Sequence, residues 1–123
     1  MNEQEFKDRT KKLALRVIRL VGKLPNNYIA EVIGKQLLRS ATSVGANYRA
    51  ACRGKSTADL IAKLGIVLEE ADECLYWMEI LIEAELVAAE KLKSLMSETN
   101  EIVAMIVASI KTLRTKTKPQ PKI

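Results

Sequence analysis

Two carboxylate pairs at helical spacing are the residues in this chain best placed to do chemistry. Glu70 and Glu73 stand three apart, as do Glu98 and Glu101, so each pair shares one face of a helix. Two such pairs on adjacent helices could hold Mg²⁺ for nucleotide pyrophosphate hydrolysis. A solvated or ion-paired helix face shows the same spacing and needs no metal. Histidine is absent. That removes imidazole general bases, Ser-His-Asp and Cys-His nucleophile systems, and the Glu-x-x-His ligands of di-iron bundles. Cys52 and Cys74 lie 22 residues apart with no CxxC pair. They read as buried free thiols in a reducing, cytoplasmic compartment. No catalytic residue, metal ligand or cofactor is assigned.

A second set of residues points to binding. Gln36, Ser40, Ser43 and Asn47 follow spacings of four, three and four, one polar stripe on a helix face. Arg39 precedes Ser40, and Arg49 and Arg53 follow Asn47. Either the stripe makes hydrogen bonds across helices and sets their register, or it forms an anion-binding face whose arginines grip phosphate bidentately. Earlier in the chain Lys12, Arg16, Arg19 and Lys23 also run four, three, four.

Charge is distributed unevenly. Residues 1–55 hold 12 basic and 4 acidic side chains, residues 56–90 hold 1 and 9, and residues 91–123 hold 7 and 2, for a total of +5. A basic surface for a polyanion, complementary faces within an assembly, or internal pairing between antiparallel helices would each produce this pattern. The phosphate contacts expected are Arg16, Arg19, Arg39, Arg49 and Arg53. Aromatics are 4% of the chain, too few for stacked bases interleaved with cations, so Trp77 reads as a packing or interface residue.

The elements that must position these groups are helices. At 123 residues, 48% hydrophobic and 28% charged, the chain suits one globular domain. Its five glycines and three prolines are too few for the turns of an all-β fold. Apolar spacing predicts helices over Gln4–Lys23, Asn27–Cys52, Thr57–Glu85 and Ala89–Arg114, with Asn27 and Ser56 as N-caps and Asp59 closing a weak capping box. The core rows expected are Phe6, Thr10, Leu13, Val17, Leu20 and Leu24; Ile29, Ile33, Leu37, Ala41, Val44, Tyr48 and Ala51; Ile61, Leu64, Leu68, Ala71, Leu75, Met78 and Ile82; and Leu92, Leu95, Thr99, Ile102, Ile106, Ile110 and Leu113. Small residues late in the second helix permit close helix approach, and Gly54 offers a flexible break. The break between the third and fourth helices has no Gly or Pro to mark it. Residues 1–114 thus read as an all-α, antiparallel, up-down-up-down four-helix bundle, and residues 115–123 as a basic, disordered tail. Ile66, Val67, Trp77, Ile80, Met105 and Val107 fall off the rows, which points to an oligomer hiding extra apolar surface. Met1–Lys12 is charged throughout and no apolar run approaches membrane length, so neither a leader nor a membrane partner is expected.

The segment Gln36-Leu37-Leu38-Arg39-Ser40-Ala41-Thr42-Ser43-Val44-Gly45-Ala46-Asn47 resembles the hallmark of the four helix bundle protein family, bacterial proteins first noted as encoded in ribosomal-RNA intervening sequences. Lys63 to Glu69, with Gly65 four residues before Glu69, is similar to the family's later block. The resemblance spans roughly residues 6 to 113. Two departures stand out: Ser40 replaces the usual alanine, and Tyr48-Arg49-Ala50-Ala51 replaces the family's I-A-E-G, so no role of that glutamate carries over. The resemblance implies a left-handed bundle assembled as a homopentameric ring. The chain also looks like the accessory variability determinant of diversity-generating retroelements, which implies nucleic acid and a reverse transcriptase as partners. The function expected is a non-enzymatic accessory or scaffold that binds RNA or DNA weakly. The alternatives are a protein-interaction scaffold without nucleic acid and a Mg²⁺-dependent nucleotide hydrolase.

Overall fold

A computed structural model describes residues 2–117, and the regular structure among them is entirely helical. Helix α1 spans Glu3–Val21, α2 Tyr28–Cys52, α3 Thr57–Glu83 and α4 Ala89–Thr117. Helices α1 and α3 each pack on both α2 and α4, while the diagonal pairs do not meet among the described residues. Short turns between long helices leave only the antiparallel up-down-up-down bundle expected. Turns 22–27 and 84–88 lie at one end, and turn 53–56 lies at the other.

Helix starts are set locally. Asn2 Oδ1 accepts from the Glu5 N–H at 2.8 Å, Asn27 Oδ1 from Ala30 at 2.9 Å and Ser56 Oγ from Asp59 at 3.1 Å. The Asp59 carboxylate accepts from the Lys55 N–H at 3.2 Å rather than from its cap residue, so the expected box closes one residue early. Between α3 and α4 the chain turns through Glu85 at φ 60°, a left-handed conformation most side chains avoid. The Leu86 and Val87 N–H groups then both donate to the Leu81 carbonyl, at 2.9 and 3.2 Å. Gly54 falls in the break between α2 and α3, as expected, and adopts no positive φ there. Its role is clearance: a Cβ there would stand 3.0 Å from the Ala51 carbonyl and 3.1 Å from Asp59 Oδ2. Helix α4 continues to Thr117, past the expected end at Arg114, and the rest of the expected tail, 118–123, lies outside the described residues.

The core follows the spacing on α1 and α4 and departs from it on α2 and α3. Phe6, Thr10, Leu13 and Val17 are buried on α1, and Leu92, Leu95, Thr99, Ile102, Ile106 and Ile110 on α4. On α3 the buried row is Leu64, Val67, Ala71, Cys74, Met78 and Leu81. Ile61, Leu68, Leu75 and Ile82 flank it, half-buried. Two neighbouring rows on α3 are apolar, so periodicity could not decide which one faces inward. On α2, Ile29 is 60% exposed and Ala30 is buried instead. The small residues of α2 do admit α1: a Cβ at Gly45 would meet Thr10 Oγ1 at 3.2 Å, and one at Gly34 would meet Leu24 Cδ1 at 2.9 Å. Thr10 and Thr99, though buried, are satisfied by their own helices, Thr10 Oγ1 donating to the Phe6 carbonyl at 3.0 Å and Thr99 Oγ1 to that of Leu95 at 2.8 Å.

Candidate nucleic-acid interface

The two carboxylate pairs do not converge. Each is gripped by an arginine from the neighbouring helix. Arg39 on α2 reaches Glu73 Oε1 at 2.5 Å and Glu70 Oε2 at 3.4 Å on α3. Arg9 on α1 holds Glu98 of α4 bidentately, at 2.9 and 2.6 Å, and stands 3.8 Å from Glu101. No group of three acidic or thiol side chains suited to a metal forms among the described residues. The nucleotide-hydrolase alternative thereby loses its paired site, and the ion-paired explanation of the spacing holds.

The Arg39 clamp also accounts for the polar stripe. Ser40 is buried beside it, its Oγ accepting from Arg39 Nη2 at 3.3 Å. Ser43 Oγ donates to the Arg39 carbonyl at 2.7 Å, and Asn47 Nδ2 donates to the Ser43 carbonyl at 2.8 Å. Ser43 and Asn47 therefore bond to their own helix and do not cross to another. Gln36 is half-buried. Across the α2–α3 seam Arg39 bridges to Glu70 and Glu73, and Ser40 of the stripe also offers Glu73 a side-chain hydrogen bond. Glu69 is exposed, and a Cβ at Gly65 would meet no neighbouring atom within 4 Å, so nothing among the described residues requires glycine there.

Trp77 completes this corner, its Nε1–H donating to Glu73 Oε1 at 3.1 Å. The indole N–H, followed by Arg39, holds the Glu73 carboxyl below the usual glutamate range, and Glu73 in turn raises the Arg39 guanidinium. A depressed carboxyl stabilises the fold above its unfolded pKa, and that contribution is lost as pH falls through the lower folded value. Trp77 is the single tryptophan. Its emission is therefore expected to hold steady until the pH drops below the ordinary glutamate range and then to change. A transition within or above that range would contradict the contact.

Neither thiol is poised to react. Burial, then the Glu70 and Glu73 carboxylates, push Cys74 up to about 12. Burial also raises half-buried Cys52, which lies among Tyr48, Glu3 and Lys7. At about pH 8 a disulfide reagent is expected to label Cys52 slowly and Cys74 only after unfolding. Rapid labelling of both in the folded protein would show that Cys74 is not enclosed.

The five arginines expected at phosphate are spread over three places. Arg16, half-buried and donating to Ser94 Oγ at 3.0 Å, and exposed Arg19 lie on the α4 side of α1. Arg49 lies with Lys7 and Lys11 along a cavity of about 410 Å³ between α1 and α2, and exposed Arg53 caps the end of α2. Arg39 faces α3, its charge already met by two carboxylates. Among the described residues, Arg9 and Arg39 are the cations of α1–α3 that bridge to a carboxylate on another helix; Lys7, Lys35 and Lys63 pair within their own helices. Lys12, Arg16, Arg19, Lys23, Arg49 and Arg53 have no carboxylate partner among the described residues, and Glu69, Asp72, Glu79 and Glu83 on α3 have no cation partner among them. Internal pairing therefore leaves most of the basic and acidic asymmetry uncancelled. The spacing did not reveal Lys91, which the α3–α4 turn brings beside Arg16, Arg19 and Lys23.

Fold and site together define an all-α four-helix bundle tied at two seams by arginine–glutamate clamps, with basic side chains on α1 and at the end of α2 that lack carboxylate partners among the described residues. The family described as 23S rRNA-intervening sequence protein matches residues 2–108, and the chain belongs to that family. It is also similar to a protein of unknown function from the S23 ribosomal protein family of Bacteroides thetaiotaomicron VPI-5482, known from a crystal structure. The two share 38% identity with a TM-score of 0.82, over 90% of this chain and 99% of that one. No curated protein matches it. No helix among the described residues is long and apolar enough to cross a membrane.

Proposed function

We propose that this protein is a non-enzymatic, oligomeric accessory that holds RNA or DNA by the phosphate backbone, in the cytoplasm. One observation carries the reading: Lys12, Arg16, Arg19 and Lys23 of α1 and its following turn, and Arg49 and Arg53 at the C-terminal end of α2, have no carboxylate partner among the described residues, although nine acidic side chains lie in residues 56–90. Uncompensated Lys and Arg on rigid helices bind phosphates without reading bases. The two glutamate pairs, each spent on an arginine, and the protonated thiols support a role without catalysis.

Exposed apolar residues on all four helices, among them Leu15, Ile18, Ile29, Val32, Ile66 and Val107, support association with further copies of the chain. The family resemblance adds five as the subunit number and a reverse transcriptase as a partner protein to test. Repetition of the basic surface around a ring would multiply weak contacts. Fluorescence anisotropy with labelled single- and double-stranded RNA and DNA tests the reading. Affinity of about 10⁻⁴–10⁻⁶ M at physiological salt, steepening as salt falls, is expected for all four. No binding at low salt would overturn it in favour of a protein scaffold.

A further inference from the structure

At the end of the bundle where α1 finishes and α4 begins, a cavity of about 580 Å³ opens between them. Four cations line it: Arg16, Arg19 and Lys23 from α1 and its following turn, and Lys91 from the first turn of α4. No carboxylate is among its lining residues, and none of the four has an ion-pair partner among the described residues. Arg16 sits at the border with an adjoining cavity lined by Glu90, Glu98 and Glu101, where its Nη2 donates to Ser94 Oγ at 3.0 Å, so Arg19, Lys23 and Lys91 carry most of the positive charge facing this one. The floor is apolar, with Leu20 and Leu95 among its residues.

Four like charges around one concavity repel one another and focus a strong positive potential into it. Ala88, which precedes α4, has only a methyl group and cannot cap that helix with a side-chain acceptor, and the field of the helix start has the same sign as the four cations. An internal phosphodiester brings one negative charge per phosphate and cannot crowd several into such a volume. A polyphosphate chain can. The volume is also in the range that holds a small organic ligand, and the leucine floor suits a flat, weakly polar ring.

We propose that this cavity binds a nucleoside 5′-triphosphate group, with the phosphates among Arg16, Arg19, Lys23 and Lys91 and the adjoining nucleoside over the leucines. The group has two sources, a free nucleotide or the 5′ end of a strand. The assignment deepens the backbone-binding reading above, and for the strand it rests on that reading. The remaining basic surface would then follow the strand away from its end.

Calorimetry with inorganic tripolyphosphate and with ATP against AMP probes the cavity without any strand. Anisotropy of one short RNA carrying a 5′-triphosphate or a 5′-hydroxyl, at near-physiological salt, probes the strand end. The proposal expects tripolyphosphate and ATP to bind, AMP to bind more weakly, and the triphosphate end to bind at least tenfold tighter than the hydroxyl end. Lys91→Glu should abolish that preference while leaving the helical spectrum and the melting temperature unchanged, because Lys91 is exposed. Tripolyphosphate and ATP binding with no strand binding would keep the cavity, make the free nucleotide its source and overturn the backbone reading. Equal affinity for both strand ends with no response to tripolyphosphate would overturn the cavity and leave general backbone binding standing.

Discussion

Reversing the charge of Arg16, Arg19, Arg49 and Arg53 together is expected to lower affinity for every RNA and DNA ligand by two orders of magnitude or more at low salt. Each phosphate contact contributes about 0.9 to the slope of log K against log salt on duplex DNA. The four reversals should therefore flatten that slope by roughly three units or more. The loss should be uniform across sequences, because phosphate contacts position a protein without specifying bases. Arg19, Arg49 and Arg53 are exposed and none of the four holds a carboxylate, so any stability cost should come from half-buried Arg16, which gives up its bond to Ser94 beside Glu90, Glu98 and Glu101. Arg39 is left out of the set. It secures Glu70 and Glu73, so reversing it would test the α2–α3 seam as much as any ligand. Unchanged affinity or an unchanged slope in the quadruple variant would end the assignment.

Leu37→Ala is expected to be the most damaging of the single changes considered. Leu37 is fully buried on α2 within the core shared with the neighbouring helices. Truncating such a leucine costs about 2–5 kcal/mol, from lost transfer energy and the cavity left behind. For a domain of this size that lowers Tm by roughly 8–20 °C. Ile29 sits in the same row by spacing but is 60% exposed. Ile29→Ala should shift the unfolding midpoint by no more than about 0.5 kcal/mol in dilute, unassembled protein. Equal effects from the two would mean that α2 is rotated relative to the bundle described.

The contrast between Leu37 and Ile29 shows where sequence reading ends. Helix number, antiparallel order, two of the N-caps and the rows of α1 and α4 were legible because each follows from local chemistry. An apolar period near 3.6 makes one face, and Asn or Ser before a helix satisfies its free N–H groups. The hallmark segment from Gln36 to Asn47 was also legible, and it placed the chain in the family that matches residues 2–108. Whether that segment binds or builds was not legible. Ser43 and Asn47 turn back on their own helix, and only the position of α3 made Arg39 a clamp rather than a free cation.

The remaining distinctions depended on which helices lie side by side. Spacing within α3 could not rank Val67 above Leu68, because both rows are apolar and the neighbours choose the one that goes inward. Spacing within α3 and α4 put Glu70 with Glu73 and Glu98 with Glu101, but could not say that Arg39 and Arg9 would meet them from α2 and α1. Lys91 joins Arg16, Arg19 and Lys23 across 68 residues of chain or more because the turn at Glu85 folds α4 back along α3, where it also packs on α1. The sequence by itself determined four antiparallel helices, the buried rows of α1 and α4, and the N-caps of α2 and α3. The tertiary structure decided which charges cancel and which stay open, because Coulomb energy depends on distance through space, and that distance exists only once the helices are packed.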